Sequence, residues 1–151
     1  MSVVHVRIQI DAPPQRVFDT VMDPWSLADW VTIHRSIGDV SPRPASRGAT
    51  MDQVLHIHGV SFKVHWSLVD VREPCEATWE GRGPAHSHAR IHYGLSGDPA
   101  GPTMFDYVNE FGAPGGPLGR LASRVVVGGA SEREANLSLA RLKALVEQMP
   151  S

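Results

Sequence analysis

Apolar and polar residues alternate along most of this chain with the two-residue period of a β-strand. Residues 4–10 place valines and isoleucines on one face and His5, Arg7 and Gln9 on the other. The same alternation predicts a hairpin of two strands around Gly59, and further strands before and after it, at 34–40, 50–58, 60–71, 77–80, 87–95 and 104–111. The short connections between these segments predict mostly antiparallel neighbours.

Two short helical segments interrupt this series after the first strand. Pro14 begins a helix that buries Val17 and Phe18, and Asp23 opens a second segment that reaches Trp30. The pattern therefore predicts the order strand, two short helices, six strands and a final helix.

The end of the chain has a helical period. Leu118, Leu121, Leu137, Leu142 and Leu145 return near helical spacing between Gly116 and Met149. About 30 helical residues span about 45 Å, which matches the width of about 38 Å expected for a compact chain of this length. The whole pattern predicts an α+β fold, in which a curved antiparallel sheet of about seven strands wraps a long C-terminal helix and encloses a cavity. The Gly128–Gly129 pair inside this helix is either a kink that allows close packing or a hinge that admits a ligand.

Composition restricts the partners. A chain of 151 residues corresponds to a single domain, here 1–151, with enough buried surface for an ordinary core. The formal charge of −2 argues against nucleic acid or an anionic membrane surface as the main partner. Cys75 is the only cysteine, which suits a reducing compartment, and no apolar stretch is long enough to span a membrane. We therefore expect a cytoplasmic protein, whose oligomeric state the sequence does not determine.

The order and spacing of several short motifs resemble the START-like (Bet v 1-like, helix-grip) superfamily, in its bacterial polyketide cyclase/dehydrase and lipid-transport branch. The motifs cover essentially the whole chain: Ile10-Asp11-Ala12-Pro13 with Val17-Phe18, Asp23-Pro24, Trp30, Gly48, Trp66-Ser67-Leu68-Val69 before Glu73-Pro74, Gly94-Leu95 before Thr103, and Ser138-Leu139-Ala140-Arg141-Leu142-Lys143. The resemblance implies a helix-grip fold whose cavity serves binders, carriers or cyclising enzymes, since fold and function are separable.

Strand alternation predicts which side chains face the cavity. The inward faces combine aromatic walls with a few polar groups, as small-molecule pockets do. With Trp30 from the helical segment, the predicted ligand-binding residues are Trp30, Gln53, Phe62, Trp66, Tyr93, Phe105, Tyr107 and Asn109. We expect a void of roughly 300 Å³. The alternative is a solid core in which the polar side chains satisfy one another.

The histidines predict no metal site. His56, His58, His86, His88 and His92 share strand faces opposite to the apolar ones, and no cysteine pair or acidic cluster completes a ligand set. We therefore expect neither a metal nor another cofactor. His34 is the one histidine that alternation does not place outside the cavity.

The favoured function is the binding or carriage of a hydrophobic or amphipathic small molecule, lipid-like or polyketide-like. The alternative is a polyketide aromatase/cyclase or dehydrase that uses the same cavity, with Tyr93, Tyr107 and Asn109 orienting carbonyl groups; a protein-interaction module is a third. Whether the chain is an enzyme stays open, because no inward acid–base pair is evident in the sequence.

Overall fold

The computed structural model of the protein describes residues 2–57, 59–112 and 132–150. Seven strands form one antiparallel sheet in the order β1-β7-β6-β5-β4-β3-β2. The strands are β1 (Ser2–Ile10), β2 (His34–Gly38), β3 (Thr50–Ile57), β4 (Val60–Arg72), β5 (Glu76–Arg82), β6 (His88–Ser96) and β7 (Thr103–Gly112). The helices are α1 (Pro14–Met22), α2 (Leu27–Trp30) and α3 (Glu132–Glu147), with single 3-10 turns at Pro24–Ser26 and Pro84–His86. The predicted α+β helix-grip architecture is confirmed.

The sheet curls around the core with one face inward. β1 pairs with β7, and every other pair of neighbouring strands is joined in chain order. The inward face carries the alternate apolar residues, and α3 lies across it with Leu139, Leu142 and Val146 buried. The core therefore lies between the curved sheet and the helices, where alternation places it.

A chain of hydrogen bonds orients the segment between α1 and α2. The Asp23 carboxylate accepts a bond of 3.0 Å from the Trp25 amide, which caps the 3-10 turn. The Ser26 hydroxyl donates to the carbonyl of Thr20 at 2.5 Å and accepts from the Trp30 indole at 3.3 Å. These bonds hold the Trp30 ring inward, where it is 1% exposed.

The terminal helix differs in one respect from its prediction. The described part begins at Glu132, so the predicted first half and the Gly128–Gly129 pair lie outside the described residues. Leu137, which we predicted on the apolar face, is 46% exposed, and that assignment was wrong. The buried face runs through Leu139 and Leu142, and Leu137 lies about 200° around the helix from Leu139 at 100° per residue.

Candidate functional site

An apolar cavity lies between the inward face of the sheet, α2 and α3. Its walls include aromatic and aliphatic side chains from β3 to β7 and from both helices, namely Leu27, Trp30, Val31, Ile33, Met51, Leu55, Phe62, Val64, Trp66, Trp79, Ile91, Tyr93, Phe111 and Leu139. Its volume is about 90 Å³. This is smaller than the void of roughly 300 Å³ that we expected from typical ligand pockets.

The structure brings most of the predicted binding residues together. Trp30, Gln53, Phe62, Trp66, Tyr93, Tyr107 and Asn109 line the cavity. Phe105 is fully buried in the core against Tyr93, with 5.5 Å between ring centroids, and is not part of the lining. That these residues contact a ligand stays a prediction.

A glycine positions the Trp66 indole. Trp66 on β4 and Gly81 on β5 are direct cross-strand partners. A Cβ atom at Gly81 would lie 2.7 Å from two carbons of the indole and 2.8 Å from a methyl of Val64. The ring therefore lies on the β5 backbone, in space that a larger residue at position 81 would occupy. Alternation predicted the inward tryptophan, but the role of Gly81 depends on cross-strand register.

The amide of Gln53 is bonded at both ends. Its Oε1 accepts from the Trp66 indole nitrogen at 2.9 Å, and its Nε2 lies 2.9 Å from His34 Nδ1. Because an indole N–H can only donate, the Gln53 oxygen must face Trp66 and its nitrogen must face His34. His34 Nδ1 therefore accepts, and the neutral ring carries its proton on Nε2. Burial lowers the pKa of His34, which favours this neutral form.

The opposite wall carries two phenols and a second amide. Tyr93 and Tyr107 are cross-strand partners with ring centroids 6.1 Å apart. Burial raises the pKa of Tyr93, and it raises the pKa of Tyr107 to about 12 although the bond from Asn109 opposes the shift. Both phenols are therefore protonated and uncharged at neutral pH.

Asn109 has an open hydrogen-bonding atom. Its Nδ2 donates to the Tyr107 hydroxyl at 2.8 Å. Its Oδ1 is buried, and among the described residues no donor reaches it. Most buried polar atoms in native proteins have a partner, so an open one on a residue that lines a cavity is a candidate partner for a ligand group or water.

Three further polar residues, which sequence reasoning missed, lie where α3 meets the segment after α2. The Thr32 amide donates to the Ser138 hydroxyl at 3.1 Å, and the Thr32 hydroxyl donates to a Glu134 carboxylate oxygen at 2.6 Å. All three residues line the cavity. The available signal was the four-residue spacing of Glu134 and Ser138, which puts both on one side of the helix, beside the buried face that runs through Leu139. These bonds tie the helix to the cavity wall.

Two of the histidines that alternation placed outward bond to hydroxyl groups. His56 bonds to the Ser61 hydroxyl at 2.8 Å, and His92 to the Thr78 hydroxyl at 2.9 Å. His86 and His88 are exposed, but His88 also contributes to the cavity lining, and His58 lies outside the described residues. No group of three histidine, cysteine or acidic side chains with metal-binding geometry occurs in the described ranges. Within the same ranges, no helix is long and apolar enough to cross a membrane.

Solved structures of similar fold include an aromatase/cyclase. The Zhui aromatase/cyclase from Streptomyces sp. R1128 is 13% identical, with a TM-score of 0.73 over 97% of this chain and 94% of that chain. Protein CV1439 from Chromobacterium violaceum is 18% identical, with a TM-score of 0.68 over 99% of this chain and 100% of that chain. DynU16, a putative protein of the dynemicin biosynthetic locus, is 19% identical, with a TM-score of 0.66 over 98% of this chain and 48% of that chain. At these identities the likeness shows the fold alone.

Sequence comparison identifies the family. A search of functionally curated proteins gave no match. The family described as polyketide cyclase / dehydrase and lipid transport matches residues 1–147, nearly the whole chain. This match agrees with the resemblance inferred from the motifs and with the sheet that encloses an apolar cavity. The chain belongs to the polyketide cyclase/dehydrase and lipid-transport family.

Proposed function

We propose that this protein binds a small hydrophobic or amphipathic molecule in the cavity between its sheet and α3. The observation that carries this proposal is an apolar cavity whose lining includes Asn109, a residue with a buried oxygen, Oδ1, that has no described partner. In a solid core that oxygen would cost about 1–3 kcal/mol. A ligand that fills the cavity gains from apolar burial and can also satisfy the oxygen.

The cavity is smaller than typical ligand pockets, so we expect its walls to move when a ligand enters. A cavity of about 150 Å³ accepts benzene, whereas this one measures about 90 Å³. Thr32 is hydrogen-bonded to both Glu134 and Ser138, so the junction of α3 with the wall includes polar contacts beside the apolar packing of Val31 and Ala135. Polar contacts at a boundary can be exchanged for water, which makes this junction the place where we expect the cavity to widen.

A cavity-filling variant tests the proposal. Ala135 lines the cavity from α3, and Ala140 lies on the exposed face of the same helix. Ala135→Leu should weaken the binding of propylbenzene at least about fivefold, because the added carbons occupy the binding space. Ala140→Leu adds the same atoms to the surface and should leave binding unchanged. Isothermal titration calorimetry measures both. Wild-type protein that does not bind propylbenzene, or equal affinities in the two variants, would contradict the proposal.

A cyclase or dehydrase that uses the same cavity is the alternative. The observation that favours it is the presence of two protonated phenols, Tyr93 and Tyr107, which could donate hydrogen bonds to the carbonyl groups of a polyketone. His34 is not part of the described lining, whereas His88 and the Glu134 carboxylate are, so groups that could transfer protons lie at the cavity. The binder is the first proposal because the apolar lining and the open Asn109 oxygen support ligand binding without assigning either group to proton transfer. Turnover of a reactive polyketone above its uncatalysed rate, lost in Asn109→Leu with substrate binding retained, would favour the enzyme.

Other features of the proposed role follow from the sequence. A cytoplasmic location, a single domain over 1–151 and the absence of nucleic-acid, metal and cofactor partners stay predictions from composition and pattern.

A further inference from the structure

Two buried amide side chains line the cavity, and they differ in which of their hydrogen-bonding atoms lack a protein partner. Gln53 and Asn109 are each 5% exposed. Both ends of the Gln53 amide meet protein partners, the indole of Trp66 and the imidazole of His34. Asn109 uses its nitrogen on Tyr107, while its oxygen has no described partner. The unused hydrogen-bonding capacity therefore lies on the Asn109 side of the cavity.

The Tyr107–Asn109 pair offers one donor and one acceptor to the cavity. While the Asn109 nitrogen donates to the Tyr107 oxygen, the phenol proton is available as a donor and Asn109 Oδ1 as an acceptor. If the amide rotates by half a turn, Tyr107 donates to the Asn109 oxygen, and the pair then offers an amide N–H and a phenol lone pair. Both arrangements present one donor beside one acceptor. A hydroxyl group complements them because it donates and accepts at once.

Other polar groups complement the pair less well. A ketone or an ether only accepts, so the acceptor of the pair would remain unsatisfied. A carboxylate also only accepts and brings a charge into an apolar site. Among the described residues that line the cavity there is no lysine or arginine to balance that charge.

We propose that the ligand carries a neutral hydroxyl group, of an alcohol, enol or phenol, that binds between Tyr107 and Asn109 while its apolar body lies against the aromatic walls. This inference rests on the proposed function and specifies the class of ligand. It favours a neutral ligand with a hydroxyl group over a free fatty acid and over a plain hydrocarbon. The apolar walls alone would not distinguish the hydroxylated ligand from the hydrocarbon.

Four compounds with one apolar body test the inference: propylbenzene, 4-propylphenol, 4-propylanisole and 4-propylbenzoate. Calorimetric titration of the wild-type protein should give about tenfold tighter binding of 4-propylphenol than of propylbenzene or 4-propylanisole, as one good hydrogen bond provides. 4-Propylbenzoate should bind most weakly. Equal binding of the three neutral compounds, or tightest binding of 4-propylbenzoate, would overturn the inference while leaving the proposed function in place. Wild-type protein that binds none of the four would overturn both.

Variants locate the preference. Asn109→Leu should reduce the ratio of 4-propylphenol to propylbenzene affinity to about one, because the hydroxyl loses its amide partner. Tyr107→Phe should reduce the ratio partly and provides an independent measurement if Asn109→Leu does not fold. Gln53→Met removes the other cavity amide, and there the ratio should stay near its wild-type value even if both affinities change. A ratio that survives Asn109→Leu and Tyr107→Phe, or that is lost in Gln53→Met alone, would contradict the assignment.

Discussion

Removal of the Asn109 amide should stabilise the unliganded protein, and removal of the Gln53 amide should destabilise it. Both side chains are equally buried at the same cavity. Asn109→Leu eliminates a buried oxygen that has no described partner. Gln53→Met eliminates the acceptor of the Trp66 indole and the donor to His34. Matched substitutions of two buried amides are thus expected to change the free energy of unfolding in opposite directions.

The magnitudes follow from the contacts. An unsatisfied buried oxygen costs about 1–3 kcal/mol, and a typical hydrogen bond contributes about 0.5–1.5 kcal/mol. Asn109→Leu relieves the first but loses the second, the bond to Tyr107, and leaves that hydroxyl without its amide partner, so we expect a net gain of at most about 1 kcal/mol and a rise in Tm of at most about 2–4 °C. Gln53→Met leaves the Trp66 N–H without its acceptor, so we expect a loss of about 1–3 kcal/mol.

Urea denaturation of ligand-free protein measures both effects. The midpoint should move up for Asn109→Leu and down for Gln53→Met with the slope unchanged, which separates stability from changes in the unfolded state. Bound ligand must be removed first, because a ligand stabilises the native state by mass action. If Asn109→Leu destabilises the protein as much as Gln53→Met does, then Asn109 is an ordinary satisfied core residue and the reasoning about its open oxygen is refuted.

Three further predictions concern other parts of the site. Gly81→Ala should lower the free energy of unfolding by about 1–3 kcal/mol because its Cβ would overlap the Trp66 ring. Gly94→Ala, whose Cβ would meet nothing closer than 3.6 Å, is the control in the same denaturation assay. Equal losses of stability in the two variants would contradict this prediction. Trp66→Ala should lower the free energy of unfolding by about 3 kcal/mol, near the low end for a buried aromatic residue, because one side of the ring borders the cavity. Calorimetry should also show weaker binding of propylbenzene to this variant. Unchanged binding would place the ligand elsewhere. Burial lowers the pKa of His34 below the ordinary value of about 6.5 for a histidine. The unfolded chain therefore takes up this proton first, so the stability contributed by neutral His34 is complete above about pH 6.5 and is lost as the pH falls toward the lower folded pKa. His34→Gln keeps a partner for Gln53 but does not titrate, so the stability of this variant should fall less between about pH 7 and pH 5, and equal losses would contradict the assignment.

Strand alternation predicted the larger part of this architecture, because the direction of a side chain on a strand depends only on its position along that strand. A strand side chain points inward or outward according to its parity, so the inward faces of β3, β4, β6 and β7 could be assigned without knowledge of the fold. The order of strands and helices followed from short connections and from the change of period at the terminal helix. A slip of one residue would have inverted every assignment, and the observed pairing of Tyr93 with Tyr107 excludes it for β6 and β7.

The parts that could not be predicted depend on how separate elements meet. The closeness of Trp66 to Gly81 depends on the cross-strand register, and the contact of Thr32 with Ser138 joins elements more than one hundred residues apart. The exposure of Leu137 depends on which helix face meets the sheet, which the abundance of leucine around it concealed. The volume of the cavity depends on packing to within a methyl group, and no pattern of residue types determines that.

The contrast between the two amides connects fold stability with function. Gln53 and Asn109 both carry a primary amide, and alternation places both on the inward face of their strands, so the sequence pattern assigns them the same role. They are also equally buried in the structure. Their partners separate them: Gln53 bonds to both Trp66 and His34, whereas Asn109, which also lines the cavity, keeps an oxygen that has no described partner. An open buried oxygen lowers stability without a ligand and raises affinity with one, which is the usual conflict at binding sites. A residue that stabilises the fold only when the cavity is occupied is therefore better evidence for a ligand than the cavity volume alone.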